Sequence, residues 1–162
     1  MPSLQRAFAA LFIALAPFAL AGCGDPPPLY VDGAWIRLSP NADNPSAGYF
    51  TVHGGAADVT LRDVITDRAQ RVEMHESLNE GGVMKMKAID SVAIPAGKQI
   101  AFAPGGKHIM LRKVNAAAVE QGKMPLTFLF SNGDRIIVDA VIRKAGAAAP
   151  TTAGNASEHE GH

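Results

Sequence analysis

The chain contains a single cysteine, Cys23, in 162 residues. One cysteine cannot build a disulfide framework within the chain. If its sulfur is lipidated, no free thiol remains for thiol–disulfide chemistry or for a cysteine-containing blue-copper site. A surplus of charge is also lacking, because 15 Lys and Arg residues balance 15 Asp and Glu residues. We therefore expect no nucleic-acid partner and no strongly charged one.

Helical periodicity and catalytic motifs are equally scarce. The sequence has no G-x-S-x-G nucleophile motif, no H-E-x-x-H zinc motif and no phosphate-binding glycine loop. We therefore do not expect an enzyme. A copper monooxygenase that uses an N-terminal histidine is also not expected, because the mature chain is predicted to begin at Cys23.

The first 22 residues have the pattern of a lipoprotein signal peptide. Arg6 supplies a positive start, and Ala7 to Leu20 form an apolar run too short for a comfortable transmembrane helix. The run ends in Leu-Ala-Gly-Cys, which resembles the bacterial lipobox and predicts lipidation of Cys23. An ordinary secretory signal and an uncleaved anchor are the alternatives. The lipoprotein interpretation places the protein in the periplasm or cell envelope, anchored to a membrane, with residues 23–28 as a proline-rich tether.

The sequence after the tether predicts an all-β domain over residues 29–143. Short segments rich in Val, Ile, Phe and Tyr alternate with turns rich in Gly, Pro, Asn and Asp, and one short helical turn is predicted at residues 116–121. This pattern favours a Greek-key β-sandwich or barrel. The predicted strands cover residues 29–38, 47–53, 59–66, 71–77, 83–89, 99–103, 108–114, 126–130 and 135–142. Residues 144–162 are mostly Ala, Thr, Gly and Ser and are predicted to be a disordered tail.

Four residues in the middle of the chain are candidate metal ligands: His75, Met86, His108 and Met110. Two imidazoles and two thioethers are soft or borderline ligands that suit Cu(I), whereas Mg²⁺ and Ca²⁺ prefer oxygen. Strand alternation puts His108 and Met110 on one face, opposite the apolar residues Ile109 and Leu111. We therefore expect His108 and Met110 to point away from the core, towards an exposed edge of the domain.

The spacing His-x10-Met-x21-His-x-Met resembles the signature of periplasmic copper chaperones of the PCuAC family. The flanking residues 72–76, 82–86 and 104–111 are similar as well, and the resemblance extends roughly from Trp35 to Val141. One departure is Glu76, where the family often has Met. The resemblance implies a cupredoxin-like fold and Cu(I) bound by the four residues. It also implies delivery of copper to an acceptor protein, either cytochrome c oxidase or another copper chaperone.

Several other residues have more than one interpretation. Met84 is either packing or a spare sulfur beside the site, and Met124 is expected in the core. His53 is expected at a strand end on the surface. Glu73 and Glu76 are either solvated or orient an imidazole. In the tail, His159 and His162 lie beside Glu158 and Glu160, a nitrogen and oxygen set that would suit Cu(II); a merely solvated tail is the alternative.

Two classes of function follow from these observations. The first is a monomeric metallochaperone that holds Cu(I) and passes it on. The second is a binding module of another kind, either a lipoprotein that buffers copper and confers tolerance or an envelope module that transfers no copper.

Overall fold

The computed structural model describes residues 26–146 and is almost entirely β-structure, which confirms the predicted fold class. The predicted signal peptide, Cys23 and the tail histidines lie outside these residues. The strands are β1 (Tyr30–Arg37), β2 (Ser46–His53), β3 (Val59–Ile65), β4 (Ala69–Glu80), β5 (Val83–Ala88), β6 (Val92–Ile94), β7 (Gln99–Phe102), β8 (Lys107–Val114), β9 (Lys123–Phe130) and β10 (Arg135–Arg143). The helix α1 (Ala116–Gln121) lies between β8 and β9, as predicted. Within residues 26–146, no helix has the length and apolar character needed to cross a membrane.

The strands form one mixed sheet that does not close on itself. Its order is β5-β4-β8-β2-β1-β10-β9-β3-β6, and β7 pairs with β2 beside this path. The pairing of β1 with β10 is parallel, and the other pairings are antiparallel. Strand β5 is therefore one end of the sheet, with β4 and β8 next to it.

Apolar residues from every strand except β5 pack into one core, on the inner face of the sheet. In β8, Ile109 and Leu111 are fully buried there, and in β4 Met74 belongs to the same core. Successive residues of a strand point to opposite faces, so His108 and Met110 lie on the outer face. This agrees with the expectation that these two side chains point away from the core. Met124 is in the core, as predicted.

Two differences from the predicted strands have physical reasons. The strand β6 was not predicted, because its three residues are too few to show an alternating pattern. Strand β9 begins at Lys123 rather than after Pro125. Proline is tolerated there because the pairing of β3 with β9 ends at Thr127, so its missing N–H breaks no bond to β3. Its carbonyl accepts a hydrogen bond of 2.7 Å from the hydroxyl of Thr66.

Candidate functional site

Three neighbouring strands carry all four candidate ligands on one face of the sheet. His75 of β4 lies directly opposite His108 of β8, and on the next level Glu73 lies opposite Met110. On the other side of β4, Met86 of the edge strand β5 lies opposite Ser77. Residues opposite each other on antiparallel strands share a face, as do residues two apart along one strand. The register therefore brings the four candidates to one region of the outer face.

The turn between β4 and β5 fixes the level of Met86. Gly81 and Gly82 have φ angles of +63° and +86°, a left-handed region that favours glycine. The side chain of Asn79 accepts a hydrogen bond of 2.9 Å from the N–H of Gly82. Because a tight turn determines which residues pair, Met86 is set one level beyond His75, towards the turn.

The two histidines form the centre of this region. The ring centroids of His75 and His108 are 6.0 Å apart and the ring planes differ by 26°. Metal–imidazole bonds of about 2.0 Å would place two ring centroids about 5 to 6 Å apart across one ion, with the larger value at a near-linear N–metal–N angle. The spacing of the pair is therefore compatible with a shared metal ion.

His108 is held in one tautomer. Its Nδ1 lies 3.0 Å from the carbonyl oxygen of Gly106, and because a carbonyl can only accept, Nδ1 carries the hydrogen. The lone pair of Nε2 is then free to bind a metal, as in many metal-binding histidines. His108 is only 6% exposed, so the expectation of an exposed edge is wrong for this side chain.

His75 is a partly buried side chain whose ring nitrogens have no hydrogen-bond partner in the described part of the chain. Both of its ring nitrogens are buried, and neither makes a hydrogen bond within residues 26–146. Burial lowers the pKa of His75; Glu73 opposes this change, whereas His108 and Arg112 add to it. The neutral imidazole, which is the form that binds metals, is therefore favoured.

The low pKa of His75 predicts a loss of stability of the metal-free protein in mild acid. An unfolded histidine titrates at about 6.5, so below that pH the unfolded chain binds a proton that the folded chain resists. The free energy of unfolding should therefore fall as the pH drops below this value towards the lowered pKa of the folded state. Urea denaturation at a series of pH values should show a steeper fall for the wild type than for His75→Asn. Identical slopes would contradict the prediction.

The methionines differ in exposure. Met110 is half-buried, whereas Met86 is 56% exposed and Met84, on the same face of β5, is 57% exposed. The interpretation of Met84 as packing is therefore wrong, and it remains a candidate spare sulfur beside the site. The thioethers flank the histidine pair on opposite sides, because Met86 is level with Ser77 and Met110 is level with Glu73.

The two glutamates next to His75 point to different faces. Glu73 shares the outer face with His75, and its carboxylate lies 2.8 Å from Arg71 and 3.9 Å from Arg112. Glu76 faces the other way and pairs with Lys107. Of the two glutamates, only Glu73 lies on the same face as the histidine pair.

Sequence reasoning missed an aromatic pair on the outer face. Trp35 and Tyr49 are buried, with ring centroids 4.7 Å apart, and the Tyr49 hydroxyl accepts a hydrogen bond of 2.7 Å from Arg37. Tyr49 is two residues from Ala47, the partner of Met110, and therefore lies on the same face. The only sequence signal was that Trp35 precedes the core residue Ile36 on β1 and Tyr49 precedes the core residue Phe50 on β2.

His53 lies elsewhere and has a structural environment. It ends β2, stacks on Tyr30 with centroids 4.0 Å apart, and lies 3.0 Å from Asp32 and 2.9 Å from Gln99. Its position at a strand end was predicted correctly.

Within residues 26–146, no three side chains of His, Cys, Asp or Glu gather in a way that could hold a metal ion. The donor set on the outer face instead combines two imidazoles with nearby thioethers. Fold and geometry thus define an all-β domain with a candidate soft-metal site on the outer face of its sheet.

The comparison with known families is consistent with a lipoprotein. The family model described as "Putative lipoprotein LpqE-like" matches residues 29–142, which is most of the chain. The chain belongs to this LpqE-like lipoprotein family.

Two other proteins are similar to this chain in sequence. "Putative lipoprotein Lxx21020" of Leifsonia xyli is 28% identical over 104 residues, covering 64% of this chain and 62% of the relative. "Uncharacterized protein RP573" of Rickettsia prowazekii is 27% identical over 113 residues, covering 67% of this chain and 62% of the relative. The chain thus spans about 62% of the length of each of these proteins.

Solved structures share the fold. The apo PCuAC domain of PmoF2 superimposes with a TM-score of 0.60 at 18% identity, covering 74% of this chain and 93% of that domain. The copper-bound form of that domain gives a TM-score of 0.57 at 17% identity, covering 70% and 91%. Apo-DR1885 of Deinococcus radiodurans gives 0.52 at 21% identity, covering 89% and 97%. At these identities the similarity establishes the cupredoxin-like fold of PCuAC domains.

Proposed function

We propose that this protein binds one Cu(I) ion at His75, Met86, His108 and Met110. The observation that carries the proposal is the pair of imidazoles. His108 is buried and has a fixed tautomer, and His75 has two buried ring nitrogens without a hydrogen-bond partner in the described part of the chain. A buried polar group without a partner is costly, so its presence favours a ligand. The adjacent thioethers favour a soft, monovalent ion. The copper-bound PCuAC domain of PmoF2, which has the same fold, adds support.

One ligand of the proposed site is buried and another is exposed to solvent. His108 is buried and suited to hold an ion, whereas Met86 is exposed on an edge strand and suited to exchange with incoming ligands. No thiolate belongs to this ligand set. We infer that the protein is a metallochaperone that takes up and passes on Cu(I) by replacing one ligand at a time, with no chemical step of its own.

A copper titration tests the binding step. Cu(I) competition with a chromogenic chelator should give one equivalent per chain, and X-ray absorption should show both sulfur and nitrogen scatterers around the metal. A coordination shell without sulfur would contradict the assignment of Met86 and Met110 as ligands.

The recipient is the second part of the proposal. We propose that copper is delivered to an extracytoplasmic acceptor, the copper centre of cytochrome c oxidase or another copper chaperone. A buffering lipoprotein remains the alternative function, and the burial of His108 is the observation that favours it, because a buried ligand slows release.

Anchoring by Cys23 completes the proposal, and membership of a lipoprotein family supports it. The Cys23→Ala variant should lose metabolic labelling with a fatty acid, while its copper affinity stays that of the wild type, because the candidate ligands lie in a separate folded region. Cys23→Ser is a second variant that keeps the size of the side chain. Persistent acyl labelling of both variants would contradict the assignment.

The tail is proposed as a weaker Cu(II) site. His159 and His162, with Glu158 and Glu160, provide the harder nitrogen and oxygen ligands that the divalent ion prefers.

A further inference from the structure

Strand β5 is an open edge of the sheet. It is the last strand in the sheet order, so within residues 26–146 it has a neighbouring strand, β4, on one side only. All six of its residues are exposed, including the apolar side chains of Val83, Met84 and Met86. The strand at the other end of the order, β6, has only three residues. A long exposed edge is a template for pairing with another strand, and most proteins shorten or cover such edges.

The register shows which backbone groups of this edge lack a partner in the sheet. Just beyond the end of β5, the N–H of Ile89 donates a hydrogen bond of 2.9 Å to the carbonyl of Met74. Because bonded and non-bonded pairs alternate along an antiparallel ladder, Lys87 and Lys85 are the next residues bonded to β4. The residues between them point their N–H and carbonyl groups towards the free edge; these residues are Met84, Met86 and Ala88.

The side chains of β5 form two rows of different chemistry. Met84 and Met86 lie on the outer face with the candidate site, and Lys85 and Lys87 lie on the opposite face. Lys85 is paired with Glu80 at 2.6 Å, whereas Lys87 makes no ion pair within residues 26–146. A strand added to this edge would therefore meet thioethers on one face and lysine side chains on the other.

The lysines disfavour a second copy of this chain as the added strand. Antiparallel pairing of two β5 strands centred on Met86 places Lys85 of each copy opposite Lys87 of the other. Like charges directly opposite each other are destabilising, and lysines on an edge strand protect it against self-pairing. Carboxylates at the same positions of a different protein would be attracted instead. The charge of this edge therefore favours an acidic partner.

We propose that β5 is the docking edge for the copper acceptor, which adds an extended antiparallel segment with carboxylates at the alternate positions that face Lys85 and Lys87. The inference rests on the proposed function, because it names how the acceptor of the Cu(I) site is recognised. Main-chain hydrogen bonds to the free edge supply the affinity, and the alternate side chains supply the specificity.

This arrangement also aligns the acceptor for transfer. The acceptor residue opposite Met86 has its Cβ about 5 Å from the Cβ of Met86 and points to the outer face. A methionine or histidine at that position is placed to replace Met86 as a copper ligand. Docking and exchange of the exposed ligand thus take place at the same residue.

Peptide binding to the metal-free full-length protein tests the docking step. The probe is a capped peptide of about ten residues in which Glu alternates with Thr and one central Thr is replaced by Met, because strand addition needs an extended segment with alternate side chains. The matched peptide has Lys in place of each Glu. The Glu peptide should bind more tightly and should protect the amides of Met84, Met86 and Ala88 from hydrogen exchange. The amides of Lys85 and Lys87, which are already bonded to β4, should change little.

Two sets of variants separate backbone pairing from charge. Ala88→Pro removes one outward N–H without removing a bond to β4, so it should weaken the Glu peptide about tenfold or more. Lys85→Glu/Lys87→Glu should reverse the preference between the two peptides. Lys98→Glu changes an exposed lysine in the turn before β7 and is the matched control. Each variant should keep the Cu(I) affinity of the wild type, because none of the four proposed ligands is changed.

Several results would overturn the inference. They are an absence of binding, equal binding of the two peptides, and binding without protection of the three outward amides. Dimerisation of the peptide-free wild type that Ala88→Pro abolishes would make a second copy the occupant of the edge instead. All of these results leave the Cu(I) site in place. Loss of stoichiometric Cu(I) binding with peptide docking preserved would instead overturn the proposed function.

Discussion

Replacing His75 and His108 together by alanine should abolish stoichiometric Cu(I) binding, and each single replacement should weaken it by about 100-fold or more. Even residues that only orient a metal ligand typically contribute 10- to 100-fold in affinity, so loss of a ligand itself should cost at least as much. Removal of both histidines leaves only Met86 and Met110, which lie on opposite sides of the position of the histidine pair. Competition with a Cu(I) chelator measures the loss directly.

Loss of copper binding can be attributed to the missing ligand only if the variant remains folded, and the imidazole of His75, unpartnered within residues 26–146, indicates that it does. A buried polar group without a partner costs about 1–3 kcal/mol, so replacing the imidazole of His75 should not unfold the protein at neutral pH. Relief of this cost offsets the packing lost with the ring, so urea denaturation of His75→Ala should give a free energy of unfolding close to that of the wild type. His53→Ala is the control histidine, because its ring contacts Tyr30, Asp32 and Gln99 away from the site. Full Cu(I) retention by the double variant would contradict the assignment.

The methionines allow a finer comparison on one strand. Met84 and Met86 lie on the same face of β5 and are almost equally exposed. Met86 is one level from His75, whereas Met84 is level with Asn79, two levels away. Met86→Leu should therefore weaken Cu(I) more than Met84→Leu. His108→Ala/Met110→Ala should lose Cu(I) entirely, because it removes one imidazole and one thioether from the ligand set.

The strand faces could be predicted from the sequence because alternation is a local property. Ile109 and Leu111 identify the inner face of β8, and this places His108 and Met110 on the outer one. The Gly81-Gly82 pair is likewise typical of a hairpin turn, and β4 and β5, which carry His75 and Met86, form one. The shared outer face of His108 and Met110 followed from this alternation, whereas only the pairing of β4 with β8 and β5 shows that His75 and Met86 lie on the same face.

The burial of His108 and the place of Glu73 could not be predicted in the same way. They depend on β8 lying between β4 and β2, strands that are distant from it in sequence. Only the register of β4 against β8 shows that Glu73 is the direct partner of Met110. Alternation showed that Glu73 shares a face with His75, but that is equally true of Arg71 and Ser77. Only the pairing of β4 with β8 shows which of these three residues lies beside Met110.

Deletion of the gene should lower cytochrome c oxidase activity under copper limitation, and added copper should restore it. A donor is needed most when free copper is scarce, because abundant copper can reach the acceptor without a carrier. The wild-type gene should rescue the activity, whereas the His75→Ala variant should not. Glu76→Gln, which leaves the outer face unchanged, is the matched control and should rescue fully. Oxidase activity of membranes from each strain is the measurement.

Membrane anchoring gives this experiment a second arm. A donor held on the same membrane as its acceptor meets it at a raised effective concentration, without any additional contact between the two proteins. The Cys23→Ala variant, which keeps the copper ligands, should therefore rescue only partly at low expression and more fully when overproduced. A buffering protein would behave differently, since its benefit depends on how much copper it holds. Normal oxidase activity in the deletion strain, combined with a collapse of copper tolerance, would replace delivery with buffering as the function.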